Sequence, residues 1–212
     1  DQMTRYPFKR RLAFHFFKKF RQNEARLHQL RYLFWECTLR CNLNCLHCGS
    51  DCTSSVNQPD MPLGDFLSAA QSIALRTDPR KITVVITGGE PLLRPDLEQC
   101  GRRLREMGFR WGIVSNGLAY TPQRHASLLR AGMGALTISL DGLANRHNWL
   151  RNNNKMFDKA VAAIGLAAAV PRLNFDVVTC VHQGNIDDLL KLKELLISLN
   201  VKHWRLFTIA PL

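Results

Sequence analysis

The sequence from residue 37 to residue 52 reads Cys37-Thr-Leu-Arg-Cys41-Asn-Leu-Asn-Cys45-Leu-His-Cys48-Gly-Ser-Asp-Cys52 and holds five of the seven cysteines. Cysteines of a disulfide framework are usually spread along a chain, whereas a tight group in a reducing compartment is typical of metal ligation. Only Cys41, Cys45 and Cys48 have the spacing C-x3-C-x2-C. We predict that these three thiolates bind a metal cluster.

From residue 32 onward the chain alternates between short β-branched or aromatic runs and helical patterns. The strand candidates are Tyr32–Glu36, Ile82–Ile86, Trp111–Val114, Leu136–Leu140, Phe175–Thr179 and Trp204–Thr208. The helix candidates between them are Gly64–Arg76, Asp96–Met107, Gln123–Ala131, Phe157–Val170 and Ile186–Leu199. Six such βα repeats, the last without its helix, predict an α/β fold with a parallel sheet and outer helices, and suit an open partial barrel better than a closed barrel of eight strands.

Distinctive polar residues directly follow the first four predicted strands. The cysteine loop follows the first, Gly88-Gly89-Glu90-Pro91 the second, Ser115-Asn116-Gly117 the third and Asp141-Gly142 the fourth. The carboxyl ends of parallel strands share one edge, where sites of such folds lie. We therefore expect one site at one rim.

The C-x3-C-x2-C spacing after a first strand, followed by Gly-Gly-Glu-Pro, resembles the radical S-adenosylmethionine (SAM) superfamily over about residues 32–210. The resemblance implies a partial (β/α)6 TIM-like barrel in which Cys41, Cys45 and Cys48 hold a [4Fe–4S] cluster with one iron open to SAM. It also implies reductive cleavage of SAM to methionine and a 5′-deoxyadenosyl radical that abstracts hydrogen from a substrate. An external one-electron donor of the flavodoxin or ferredoxin type would supply the electron.

The resemblance further implies which residues contact the cofactor and the substrate. The implied SAM contacts are His47, Gly88, Gly89, Glu90, Pro91, Ser115, Asn116, Ser139 and Asp141. Glu90 can accept hydrogen bonds from the methionine ammonium group. On the substrate side, His147 and Arg151 stand where peptide-modifying members often show a His and an Arg, although Asn148 replaces the Asp frequently found beside that His.

Other interpretations of the same motifs remain open at this point. Zinc could be bound by Cys45, Cys48 and Cys52 with His47 or Cys37, which would make the chain a non-catalytic interaction module. The Gly-Gly-Glu-Pro, Asn-Gly and Asp-Gly segments are also common turn sequences.

For the substrate, the motif style resembles the branch whose members carry a cysteine-rich SPASM or related extension and modify peptides or proteins. We therefore predict a peptide or protein substrate and expect the chain to stop before the last helix and any such auxiliary-cluster extension. The nearest alternative is maturation of a tetrapyrrole or another cofactor. RNA modification, which the basic charge suggests, is disfavoured because the aromatic and basic N-terminal segment has no recognisable RNA-binding module.

The net charge of +12 is concentrated at the start of the chain. Residues 1–31 carry nine Lys and Arg against Asp1 and Glu24, which gives +7. This segment combines basic and aromatic residues at helical spacing, so we predict a basic amphipathic helix before a core domain at 32–212. The sequence has no run of apolar residues long enough for a membrane span and no signal-peptide pattern, which predicts a cytoplasmic protein.

Overall fold

A computed structural model describes residues 7–208, and the chain divides after Arg31 into two units. The first unit contains helix α1 (Phe8–Leu27), which is the predicted basic helix and ends where His28 adopts a left-handed conformation. The predicted segments 1–31 and 32–212 each extend outside the described residues, at 1–6 and 209–212.

The second unit alternates strands and helices along the chain. Its strands are β1 (Tyr32–Glu36), β2 (Thr83–Thr87), β3 (Arg110–Ser115), β4 (Ala135–Ser139), β5 (Asn174–Val181) and β6 (Trp204–Thr208). Its helices are α2 (Leu63–Ala74), α3 (Leu97–Glu106), α4 (Pro122–Arg130), α5 (Ala144–Arg151), α6 (Met156–Ala168) and α7 (Leu189–Ser198). Short 3₁₀ turns occur at Pro79–Lys81, Pro91–Leu93 and Ile186–Asp188.

The six strands form one parallel sheet in the order β1-β2-β3-β4-β5-β6. Because each strand pairs with the next one in the chain, the winding has no point at which its direction reverses. A doubly wound sheet has such a reversal, and right-handed crossovers without one leave the helices on a single side. The sheet therefore curls into the predicted partial barrel.

The main core lies between the sheet and its helices. Val84, Ile86 and Ile138 in the strands are completely buried, as are Leu104 and Ile164 on the helices facing them. Strands buried on both faces favour β-branched residues, which explains why the sequence marked them as short apolar runs. All six predicted strands are present, with ends that differ by up to two residues.

Helix α5 is the one α-helix of the described residues that the sequence patterns did not predict. It is short, and His147, Leu150 and Arg151 are its buried residues. Two of these three are polar or charged, so the helix lacks the apolar stripe by which amphipathic helices are recognised. The turn from α5 into α6 is made by Asn152 in a left-handed conformation.

Candidate metal and cofactor site

The three thiols of the C-x3-C-x2-C spacing lie in the loop after β1, and each accepts one N–H hydrogen bond from a different part of the chain. The side-chain amide of Asn116 donates to Cys41 Sγ at 3.9 Å, and Arg151 Nη1 donates to Cys45 Sγ at 3.7 Å. The backbone N–H of Cys52 donates to Cys48 Sγ at 3.4 Å. Donors of this kind stabilise thiolates, which are the form that binds metal.

The cysteine loop is joined to the loop after β2 by backbone hydrogen bonds. Gly89 N donates to Thr38 O at 2.8 Å and Glu90 N donates to Arg40 O at 3.0 Å. A Cβ on Gly89 would lie 2.2 Å from Arg40 O, so only glycine permits this approach. The glycine of the Gly-Gly-Glu-Pro segment is thus needed to bring the two loops together.

A first polar cluster, the Glu90 group, consists of Glu90, Ser115 and Asn116 at the ends of β2 and β3. The carboxylate of Glu90 is fully buried and accepts from Ser115 Oγ at 2.9 Å and from Asn116 N at 2.8 Å. Burial raises the pKa of Glu90 to about 6, although these hydrogen bonds oppose the increase. Glu90 therefore orients Asn116, which in turn contacts Cys41.

A second cluster, the Asp141 group, consists of Asp141, His147 and Arg151 at the end of β4 and on α5. Arg151 donates from Nε to Asp141 Oδ2 at 2.8 Å, and Arg151 Nη2 lies 2.7 Å from the same oxygen. Asp141 Oδ1 accepts from Cys180 N at 2.9 Å. Burial alone would raise the pKa of Asp141, but the adjacent Arg151 guanidinium holds it well below its usual range. Arg151 is thereby fixed beside Cys45 as one half of an ion pair.

His147 is fully buried, and its tautomer follows from its contacts. Burial lowers the pKa of His147, so the ring is neutral, and its Nδ1 accepts the backbone N–H of Asp141 at 3.0 Å. The proton is therefore on Nε2, which has no acceptor within residues 7–208. His147 positions the Asp141 backbone.

His47, which precedes the third cysteine of the spacing, faces the Asp141 group. One ring nitrogen of His47 lies within 4.8 Å of an Asp141 carboxylate oxygen and of Cys180 Sγ. Burial lowers the pKa of His47, and the nearby Arg151 lowers it further. Nδ1 of His47 is buried without a partner in the described part of the chain, and such an orphaned polar atom fits a site that a ligand completes.

A zinc centre and a larger iron–sulfur cluster need different spacings of their thiolate ligands. A tetrahedral zinc shell with Zn–S distances of about 2.3 Å holds its sulfurs roughly 3.8 Å apart. Across residues 7–208, no three potential ligand atoms of the cysteine loop lie within 4.8 Å of one another. In each such set of three, at least one pair of atoms is therefore farther apart than a compact zinc shell allows. A larger iron–sulfur cluster, which cysteine thiolates hold through its separate irons, does not require the thiols to be that close together.

The remaining cysteines of the loop belong to the protein interior. Cys37 is 1% exposed in the main core, and burial raises the pKa of its thiol to about 12. The carbonyl of Cys37 accepts from the buried guanidinium of Arg94 at 2.7 Å, which anchors the start of the loop.

Burial also raises the pKa of Cys41 and Cys45, and Arg151 opposes that shift at Cys45. A coordinated cation deprotonates such thiols outright.

The structure brings most of the sequence-predicted site residues to the carboxyl-end rim of the sheet. The Glu90 group meets the loop at Cys41, and the Asp141 group meets it at Cys45. Ser139 is buried at the end of β4, and Pro91 begins the 3₁₀ turn after Glu90. Their contacts with SAM and those of His147 and Arg151 with substrate remain predictions.

Sequence reasoning missed Asn185, which ties the loop after β5 to the site. Asn185 is 1% exposed and donates from Nδ2 to Asp141 O at 2.5 Å and to Cys180 O at 2.8 Å. It follows β5 as the other rim residues follow their strands, and that position was the available signal. Asn42, which accepts from Asn116 Nδ2 at 2.8 Å, lies between two of the predicted ligand cysteines and could have been noticed there.

Comparison with protein families gives one decisive match. The sequence model of the Radical SAM superfamily matches residues 35–196, which include the cysteine loop and both polar clusters. This chain belongs to the radical SAM superfamily. Membership confirms the predicted cofactor pair of a [4Fe–4S] cluster and SAM.

Two curated relatives carry tetrapyrrole names. The chain is 31% identical over 185 residues to the AdoMet-dependent heme synthase of Methanosarcina barkeri, a match that covers 85% of this chain and 51% of that protein. It is 29% identical over 133 residues to the Fe-coproporphyrin III synthase of the same organism, with coverages of 61% and 32%. The chain thus spans about half the length of the first relative, and its match covers about a third of the second.

Solved radical SAM structures share the fold. SuiB of Streptococcus suis bound to S-adenosylmethionine superposes with a TM-score of 0.73 at 14% identity, covering 96% of this chain and 50% of that one. Native anSMEcpe with bound AdoMet gives a TM-score of 0.70 at 17% identity, covering 86% and 52%. These likenesses confirm the partial barrel. No helix within residues 7–208 combines the length and the apolar character that crossing a membrane requires.

Proposed function

We propose that this chain is the core of a radical SAM enzyme that acts on a tetrapyrrole. One observation carries the substrate class: the heme synthase relative is similar over 85% of the chain at 31% identity, a likeness that extends through both polar clusters. The sequence motifs alone favour a peptide or protein substrate, with tetrapyrrole maturation as the nearest alternative. The curated relatives support that alternative better.

The three thiols would hold the cluster, and each is supported by a donor of its own. Asn116 and the Cys52 amide provide neutral N–H groups to Cys41 and Cys48, whereas Arg151 provides a charged one to Cys45. When bound, the cluster supplies one electron for the reductive cleavage of SAM to methionine and a 5′-deoxyadenosyl radical. Hydrogen abstraction from an unactivated carbon is beyond acid–base side chains, so the cofactor supplies that step.

The protein's own residues would orient the cofactors and limit water. The buried Glu90 and Asp141 groups fix the cysteine loop at two points, Cys41 and Cys45. Nδ1 of His47, which has no partner within residues 7–208, and the segment 88–91 lie on the rim where SAM would be held. Because the Glu90 and Asp141 groups are fixed by internal hydrogen bonds, the site needs little rearrangement when it is loaded.

Replacement of Cys41, Cys45 and Cys48 together by Ala tests the cluster assignment. After anaerobic reconstitution with iron and sulfide, the wild type should bind both and, with dithionite, convert SAM to 5′-deoxyadenosine. The triple variant should do neither. Cys100→Ala is the matched control because Cys100 is buried in α3, in the main core. Deoxyadenosine production by the triple variant, or tightly bound zinc without sulfide in the wild type, would refute the assignment.

The substrate class is tested on the full-length protein. Deoxyadenosine formation should increase when iron coproporphyrin III is added to the reduced, SAM-loaded enzyme, and it should not respond to an unrelated peptide mixture. A response to peptide and none to the porphyrin would return the assignment to the peptide-modifying branch.

A further inference from the structure

Beside the Asp141 group lies a cavity whose lining contains none of the residues assigned to the cluster or to SAM. It has a volume of about 830 Å³ and is lined by Asn145, Arg146, Trp149, His182, Gln183 and Gly184. Small-molecule sites in proteins usually measure about 300–1,000 Å³. The cavity is therefore large enough for a sizeable ligand.

Aromatic and cationic groups dominate the walls of this cavity. Trp149 is 59% exposed, and its ring lies 5.9 Å from the ring of His182 with an angle of 36° between the two planes. The lining contains no carboxylate, and Arg146 forms no ion pair with any residue between 7 and 208. An exposed indole beside an unpaired guanidinium suits a flat, conjugated molecule that carries negative charge.

The wall contributed by the loop after β5 is held by internal hydrogen bonds. His182 N donates to Asn185 Oδ1 at 2.8 Å, and Gly184 N donates to His182 Nδ1 at 3.1 Å. Asn185 is in turn bonded to Asp141 O. These hydrogen bonds hold the His182 ring in place, which reduces the entropy lost when a ligand binds.

Both walls of the cavity belong to segments that also contact the cysteine site. Trp149 is two residues before Arg151, which contacts Cys45, and the neighbouring Leu150 carbonyl accepts from Leu46 N at 2.9 Å. On the other wall, His182 is two residues after Cys180, whose sulfur lies within 4.8 Å of ligand atoms of His47 and Asp141. A molecule in the cavity would therefore contact two segments that also carry residues of the cysteine site.

We infer that this cavity binds one edge of a planar, carboxylate-bearing tetrapyrrole, with Trp149 against the ring and Arg146 on a carboxylate. The inference rests on the proposed function, because the substrate class comes from there. It adds a place and an orientation: the macrocycle lies along α5 with its opposite edge toward the thiols. Arg146 and Trp149 are substrate-binding residues in this arrangement.

The test is a binding titration of the anaerobic, reconstituted protein with coproporphyrin III, followed by porphyrin absorbance and fluorescence. Arg146→Gln and Trp149→Ala should each raise the dissociation constant about tenfold or more, since both remove a direct contact. Trp149→Phe should keep most of the affinity because it keeps an aromatic face. Raising the salt concentration should weaken the wild type more than Arg146→Gln.

Arg102→Ala is the matched control, because Arg102 is an exposed arginine on α3, outside the cavity. Its affinity should equal that of the wild type. Equal affinity of Arg146→Gln, Trp149→Ala and wild type would place the porphyrin elsewhere, for example on the phenylalanine-rich α1, and would overturn the inference. That result leaves the proposed function standing, because the proposed function fails only if the cluster, SAM cleavage or the response to iron coproporphyrin is absent.

Discussion

At the scale of single residues, Glu90 and Asp141 are two buried acids with different partners. Its buried carboxylate accepts hydrogen bonds from Ser115 Oγ, Asn116 N and Leu92 N, yet no cation lies within ion-pair distance among the described residues. Asp141 differs because Arg151 compensates its charge. The pKa of Glu90 is therefore shifted up and that of Asp141 is shifted down, since burial dominates at Glu90 and the ion pair dominates at Asp141.

The elevated pKa of Glu90 makes a contribution to stability that depends on pH. The folded value of about 6 exceeds the ordinary value of 4.5, so folding favours the protonated acid. That contribution is fully present below pH 4.5 and is lost as pH rises through 6. The difference amounts to about 2 kcal/mol. Urea unfolding of the cluster-free wild type and Glu90→Gln should show their free energies of unfolding diverging by this amount across the interval.

Glu90→Gln is itself the reference in this experiment, because it lacks the titrating group and both proteins share every other acid. The variant should gain on the wild type as pH increases. A difference that stays constant from pH 4 to pH 7 would show that the carboxyl titrates normally and is better hydrated than its burial indicates.

At the scale of elements, α3 packs unusually closely on the sheet. A Cβ placed on Gly101 of α3 would lie 2.1 Å from Cζ2 of Trp111 in β3. The glycine lets the helix backbone rest against the indole ring, and Trp111 is itself 1% exposed. By contrast, Gly165 in α6 is exposed and has no atom within 4 Å of the corresponding position. Two helical glycines thus differ only in what they face.

Alanine substitutions at these two glycines should have opposite effects on stability. Alanine favours a helix over glycine by about 1 kcal/mol, so Gly165→Ala should stabilise the protein by up to roughly that amount. Gly101→Ala should destabilise it by about 1–3 kcal/mol, because overpacking against Trp111 exceeds the helical gain. Urea unfolding of both variants measures this. A stabilised Gly101→Ala would mean that α3 can move away from β3 at little cost.

The elements also show what the sequence could and could not predict. Strand positions followed from β-branched runs, and the site position followed from polar residues placed directly after those runs. Helix α5 was missed because its buried residues include His147 and Arg151, which periodicity counts as surface residues. The interior role of Glu90 was missed for a similar reason. A single sequence does not reveal that a charged side chain is satisfied by partners 25 or more positions away.

At the scale of the whole molecule, the site joins loops from five of the six strands. The cysteine loop follows β1, and the residues that fix it follow β2, β3, β4 and β5. The joining contacts are Gly89 to Thr38, Asn116 to Cys41, Arg151 to Cys45 and Asn185 to Asp141. These contacts lie at one rim, while the sheet below is held by its own apolar core. Binding at the thiols should therefore stabilise the rim more than the sheet.

Hydrogen exchange measured before and after reconstitution with iron and sulfide tests this division. Amides of the cysteine loop, including Leu46 and Cys52, should exchange more slowly once the cluster is bound, because a ligand that binds only the folded loop suppresses its local opening. Interior amides of β2 to β4 should change little. The Cys41, Cys45 and Cys48 triple Ala variant, treated identically, should show no change. Uniform protection of loop and sheet would indicate one cooperative unit instead.

The backbone hydrogen bonds of Gly89 and Glu90 to the cysteine loop have a consequence for electron transfer. They extend the pairing of β1 with β2 beyond the strand ends, so the loop that carries the thiols shares the stiffness of a β-ladder. A centre that gains or loses charge in stiff surroundings moves few atoms, and its reorganisation energy is correspondingly small. The ladder therefore does more than pair two strands, because a cluster held by this loop would have few surrounding atoms to rearrange when it gains or loses an electron.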